Sequence, residues 1–271
     1  MNVIDPGSLQ FVKWGGSLIT DKNNPSTARP EMLARLAGEL AEYFHRQPDA
    51  RVVLGHGSGS FGHVPAQRYH TRLGVNSLEE WFGFLEVWRQ AASLNNLVMD
   101  ALQQAGLPAI ALQPSAAIVA TNGKVSQWDL GPLQAALAAG LIPVVYGDVI
   151  FDKRLGGTIL STEDLFESLA RQLKPARVLL AGLEAGVWSD YPTCTKLAQQ
   201  LFPEDLPEFE QSLQGSAAID VTGGMASKVR QTLALVQELP DLEVLIFSAV
   251  DPGVLLRALL GEPAGTRLSA Y

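Results

Sequence analysis

A chain of 271 residues, 47% of them apolar, is long enough for one large α/β domain or two small lobes and too apolar for disorder. Its net charge of −8 argues against a nucleic-acid or anionic-membrane surface, so a phosphate site would have to gather its few cations locally. The single cysteine, Cys194, excludes an intrachain disulfide and a cysteine-cluster metal site, and fits a reducing cytoplasm.

The N-terminus shows no basic segment ahead of an apolar core, and no apolar stretch of about 18 residues is free of polar residues or proline. No leader peptide and no membrane span are expected. In chain order, Phe11-Val12 enters a first glycine turn, Lys13-Trp14-Gly15-Gly16-Ser17. A helix is predicted over 30–46, with Met32, Leu33, Leu36, Leu40 and Phe44 at helical spacing. A strand over 51–54 empties into a second glycine turn. A long helix over 78–104, a strand near 108–112, a helix near 130–139 and a strand over 141–146 follow. Residues 162–173 read as a helix with Ser161 or Thr162 as N-cap. Val178-Leu179-Leu180-Ala181 and Val244-Leu245-Ile246-Phe247 are further strands, and 189–216 is an irregular, proline-bearing excursion. Alternation of this kind predicts a mostly parallel sheet covered on both faces, with ligands at the C-terminal ends of its strands. A soft lobe boundary falls near 175, where Lys174-Pro175 ends a helix.

The second glycine turn, Gly57-Ser58-Gly59-Ser60-Phe61-Gly62-His63, carries the most chemistry. Residues without a Cβ let backbone N–H groups close around an anion, and a helix start behind them adds its dipole. The string formally matches G-x-G-x-x-G, the dinucleotide fingerprint. That fingerprint needs an acidic residue at the end of a second strand, and Glu79 and Glu80 have no strand before them. A Walker A loop would need lysine where His63 stands. A tight structural turn is the plain alternative. The first turn is a second glycine cradle, with Lys13 on it and Lys22 shortly after, and Asp220-Val221-Thr222-Gly223-Gly224-Met225 leads to Lys228. Taken singly, each lysine reads as a solvated charge; taken together, they point to joint phosphate binding.

His56 and His63 lack a third nitrogen or thiolate at a suitable spacing, so no zinc site is expected. Ser58 and Ser60 lack a nucleophile-elbow context. Phe82, Phe84, Val87 and Trp88, just beyond the turn, read equally as core or as an apolar substrate wall.

In order, these motifs resemble the amino acid kinase superfamily and, within it, the isopentenyl phosphate kinases. The resemblance also takes in Thr20-Asp21-Lys22, Gln113-Pro114-Ser115 and Pro143-Val144-Val145-Tyr146-Gly147-Asp148. The Ser-Phe-Gly-His ending is its most selective part, shared with the related fosfomycin kinases. The resemblance implies an open αβα sandwich in a single domain, 1–271, with phosphoacceptor in a lobe 1–174 and ATP in a lobe 175–271. It implies that Lys13 and Lys22 contact the transferring phosphoryl group and that His63 holds the acceptor phosphate with Gly57, Ser58, Gly59, Ser60 and Gly62. Phe84, Val87, Val149 and Ile159 would line an isoprenoid pocket. Gly15, Gly16, Ser17, Gly182, Thr222, Gly223, Gly224 and Lys228 would serve the nucleotide, and Asp164 would be the acid near the lysines.

Implied besides are ATP as co-substrate, Mg2+, an isoprenoid monophosphate as acceptor, a cytoplasmic homodimer, and neither nucleic acid nor membrane as partner. Because a phosphate monoester is already largely dianionic at neutral pH, its attack needs cation placement rather than a general base. The chain departs from the family at two points. Ser161-Thr162-Glu163-Asp164 stands where serine-glycine-aspartate-aspartate is common. Ala181-Gly182-Leu183-Glu184-Ala185-Gly186 replaces a threonine-aspartate turn. The readings left open are a kinase of another small phosphate or phosphonate, a nucleotide-binding regulator without turnover, and a Rossmann oxidoreductase.

Overall fold

The computed structural model describes residues 9–190, 193–207, 209 and 224–271. β1 (Leu9–Trp14) is followed by the single turn α1 (Gly16–Ile19) and by α2 (Pro30–Arg46). Proline at its N-terminus starts α2 without wasting a hydrogen bond, and its Leu33, Leu36, Ala37, Leu40 and Tyr43 form one buried face. β2 (Arg51–His56) leads into α3 (Gly59–Arg68) and the long α4 (Leu78–Gln104). A capping box starts α4: Glu80 N donates to Ser77 Oγ, and Ser77 N donates to the Glu80 carboxylate.

Next come β3 (Ala109–Ala111), α5 (Pro114–Ala117), β4 (Ile118–Thr121), β5 (Lys124–Trp128), α6 (Gly131–Ala138) and β6 (Ile142–Tyr146). β7 (Asp148–Asp152), β8 (Gly156–Leu160), α7 (Thr162–Leu173), β9 (Arg177–Gly182) and β10 (Gln200–Leu201) follow. The described chain finishes with α8 (Gly224–Glu238), β11 (Glu243–Ser248), α9 (Val254–Leu259) and β12 (Thr266–Leu268).

Eight strands form the main sheet in the order β10-β12-β11-β9-β1-β2-β6-β3. Every pair is parallel except β11–β12. Strand alternation sends successive side chains to opposite faces. Phe11, Val53, Val145 and Leu180 pack on one face against Phe166, Leu169, Val229 and Leu233 of α7 and α8. Val12, Leu54, Val144 and Leu179 pack on the other against Leu36, Leu40, Leu94 and Leu255 of α2, α4 and α9. This is the expected open αβα sandwich.

A second sheet, in the order β5-β4-β7-β8, was not foreseen. Its β4–β5 hairpin turns at Asn122 and Gly123, both at positive φ (52° and 71°). The Asp152 carboxylate accepts from the N–H groups of Asn122, Gly123, Arg154 and Leu155 and so staples both hairpins together. In the β7–β8 hairpin Val149 stands opposite Ile159. The excursion expected over 189–216 is described only in part, with an isolated bridge between Trp188 and Leu197 and β10 on the sheet edge. No helix among the described residues is long and apolar enough to cross a membrane.

Candidate active site

The two glycine turns leave neighbouring strands in register, Lys13 beside Gly55 and Trp14 beside His56. They touch backbone to backbone. A Cβ on Gly57 would lie 2.9 Å from Gly16 N, and one on Gly16 would overlap the Gly59 backbone. Gly59 also has φ +49°, a conformation that L side chains rarely adopt. Thr20, fully buried, ties the turns together: its Oγ1 donates to Gly16 O (2.7 Å) and accepts from Ser60 N (3.0 Å). Part of the cradle is thus spent on structure. Gly57 N donates to Trp14 O, Gly15 N to Ala181 O, and Phe61 N and Gly62 N to Ser58 O. The N–H groups of Gly16, Ser17, Ser58 and Gly59 make none of these bonds.

Beside the turns lies a polar cleft lined by Arg72, Ser161, Glu163, Asp164, Gly224, Ser227, Lys228 and Gln231. Lys13, buried at the end of β1, forms an ion pair with Glu163, and Lys228 on α8 lies 3.6 Å from the same carboxylate oxygen. Burial pushes the Glu163 carboxyl up, but the Lys13 and Lys228 charges and the Lys13 hydrogen bond outweigh it and bring it to about 2. It is therefore a fixed anion between two cations brought from opposite ends of the chain.

The acid between the lysines is Glu163, one position before the expected Asp164. Asp164 is the third residue of α7, and its carboxylate accepts from Ser161 N (2.8 Å) and Ser161 Oγ (2.7 Å) in a capping box. It also pairs with Arg72 at 3.3 Å and accepts from Gln231 Nε2 at 3.3 Å. The pattern Ser161-x-x-Asp164 is itself a capping-box signature, so the sequence held the signal that reserves Asp164 for the helix start. Arg72, Ser227 and Gln231 had no such signal.

Thr162, in the place of the family's glycine, is buried and useful. Its Oγ1 donates to His56 O at 2.6 Å, and a Cβ on Gly55 would strike its methyl group. The departure fastens the start of α7 to the end of β2. At the other departure, the carbonyl of Ala181 holds the first glycine turn, and Gly182 O accepts from Ala249 N.

Beyond β8, Phe84, Val87 and Val149 are buried together with Ala66 and Val75, and Trp81 and Ile159 pack on them. The four residues expected to line an isoprenoid pocket, Phe84, Val87, Val149 and Ile159, meet here as packed core. Phe82 is 62% exposed and Trp88 39% exposed, so neither belongs to this cluster. His63 is half-buried on α3, three residues before Ala66 and on the same helix face. Lys22 is exposed on the turn after Thr20 and does not line the cleft. Thr222 and Gly223 lie outside the described residues; Gly224 starts α8 at the cleft wall.

Two buried titratable groups flank the site. His56 stacks on Tyr146, with Nδ1 3.2 Å from Gly57 O and Nε2 3.2 Å from the Asn95 amide. Burial drives its imidazole down to about 4, so it is neutral at pH 7. A neutral ring has one donor, and both nitrogens are satisfied when the Asn95 amide is turned to donate to Nε2. Asp148 accepts from Ser115 N and Val149 N, and burial raises it to about 6.

The sequence profile described as the amino acid kinase family matches residues 8–248. An isopentenyl phosphate kinase of Methanothermobacter thermautotrophicus is 36% identical over 268 residues, covering 96% of this chain and 98% of that one. Another, of Methanocaldococcus jannaschii, is 30% identical over 269 residues, covering 96% and 98%. An X-ray structure of isopentenyl phosphate kinase superposes with a TM-score of 0.78 at 30% identity, covering 96% of this chain and all of that one. Fold, glycine turns and full-length likeness agree: the chain belongs to the amino acid kinase family and, within it, to the isopentenyl phosphate kinases.

Proposed function

We propose that this chain transfers the terminal phosphoryl group of ATP to isopentenyl phosphate, giving ADP and isopentenyl diphosphate. The observation that carries this reading is a juxtaposition. A polar cleft that holds Arg72 and Lys228 and an apolar cluster are joined through β8, where Thr158 Oγ1 donates to Arg72 O and the next residue, Ile159, packs on Phe84, Val87 and Val149. A short apolar tail with a phosphate head matches the chemistry of that pairing.

Lys13 and Lys228 stabilise the phosphoryl group in transfer, Glu163 holds the two cations together, and His63 donates to the acceptor phosphate. The acceptor occupies the lobe 1–174 and the nucleotide the lobe 175–271. Among the described residues no three His, Cys, Asp or Glu side chains converge as metal ligands. Magnesium would supply charge neutralisation there, and Glu163 and Asp164 are the carboxylates of the cleft that would help to hold it beside the nucleotide's phosphates. The working enzyme is a cytoplasmic homodimer.

The test is ADP release with ATP and magnesium, comparing isopentenyl phosphate, dimethylallyl phosphate, fosfomycin and no acceptor, with mass spectrometry of the product. Release that depends on isopentenyl phosphate, with the diphosphate as product, is expected. Release with fosfomycin alone assigns another acceptor. ATP binding without release in any arm identifies a nucleotide-binding regulator.

A further inference from the structure

Arg72 belongs to none of the phosphate motifs, yet its side chain enters the cleft that Glu163 and Lys228 line. Its backbone is pinned. The 3-10 turn Thr71–Leu73 is closed by Leu73 N donating to His70 O, and Thr158 of β8 donates to Arg72 O at 2.9 Å. A guanidinium carries five donors in a planar fork suited to two oxygens at once. Here it makes a single 3.3 Å pair, through Nη2, with Asp164 Oδ2. That oxygen already accepts two shorter bonds from Ser161. Among the described residues Nη1 is buried without a hydrogen-bond partner. A buried guanidinium nitrogen left unpaired is costly, and native proteins rarely leave one so.

We infer that Arg72 is a phosphate ligand, its fork completed by oxygens of the polyphosphate that enters the cleft between Arg72 and Lys228. This inference rests on the kinase reading above. Asp164 holds the guanidinium at the cleft wall through that one pair. The two cations come from opposite sides, Arg72 from the turn joined to the apolar cluster and Lys228 from α8, so one anion would engage both halves of the site.

The test uses inorganic tripolyphosphate, which carries neither base nor isoprenoid, and calorimetric titration of the full chain. Arg72→Ala should weaken tripolyphosphate about tenfold or more, the usual cost of losing a charge-assisted hydrogen bond. Arg72→Lys, which keeps the charge but not the fork, should fall between the two, and it serves if the alanine variant does not fold. In the acceptor assay the alanine variant should lose kcat as well as raise the KM for ATP. An alanine variant within about twofold of the unmodified affinity, or an unmodified chain that does not bind tripolyphosphate, overturns the inference. An unmodified chain that binds tripolyphosphate but releases no ADP with isopentenyl phosphate overturns the acceptor assignment instead, and the Arg72 titrations still decide this one.

Discussion

Lys13 and Glu163 form an ion pair at the C-terminal edge of the sheet, through the carboxylate oxygen that also faces Lys228. Removing that negative charge leaves two lysines facing each other across the cleft. Glu163→Gln should lower turnover by about 100-fold, the scale of one lost electrostatic contact in a preorganised site, while Lys13→Ala should nearly abolish transfer. Steady-state ADP release measures both. A Glu163→Gln enzyme at full speed would show that the lysines need no organiser.

His63→Ala should cost turnover on the order of 100-fold with little change in melting temperature, because one donor to the acceptor phosphate is lost and the helix keeps its packing. Unchanged kinetics would remove His63 from the chemistry.

The apolar cluster separates two roles that sequence left undivided. Phe84→Ala should destabilise the fold by roughly 3 kcal/mol, as truncation of a buried aromatic does, and should also admit longer isoprenyl phosphates. Denaturant melts and a chain-length series check the two halves. A stability loss with unaltered chain-length preference would make Phe84 core only.

Gly16→Ala should destabilise by about 3 kcal/mol, since its methyl would overlap the Gly59 backbone and backbone cannot step aside cheaply. A melting temperature equal to that of the unmodified chain would mean that the turns are not in contact.

The buried groups His56 and Asp148 set opposite pH slopes. His56 falls from its ordinary 6.5 to about 4 on folding, so its contribution is present above 6.5 and is lost as pH falls toward 4. Asp148 rises from 3.8 to about 6, so the folded state holds a proton that the unfolded state releases, and stability is lost as pH rises through 6. Between pH 6 and 4 the two slopes nearly cancel, so His56→Gln should uncover a gain in stability on acidification and Asp148→Asn a loss. Parallel melts of the three proteins across that range decide the matter.

The long helices and the buried parallel strands were legible because their periodicity is strong: 30–46, 78–104 and 162–173 coincide with α2, α4 and α7. The second sheet was not, because strands such as Lys124–Trp128 and Gly156–Leu160 mix polar or small residues with apolar ones and carry no continuous apolar run. Asn122-Gly123 did carry the hairpin signal between β4 and β5. The glycines and lysines of the site stood out as residue types. The difference between Glu163 and Asp164 did not, because it turns on which residue caps α7. Arg72 reaches the cleft only through a tertiary approach from a turn that shares no motif with it.

Since both glycine turns hang from adjacent, hydrogen-bonded strands, the spacing of their backbones is a molecular ruler. One interstrand spacing, about 4.8 Å, sets it, and the Thr20 hydroxyl locks it. Acceptor and donor phosphates brought to the two turns would meet at a separation written into the peptide ladder. Selectivity among acceptors would then come from the length and shape of the tail, while the distance across which the phosphoryl group travels stays the same for every one of them.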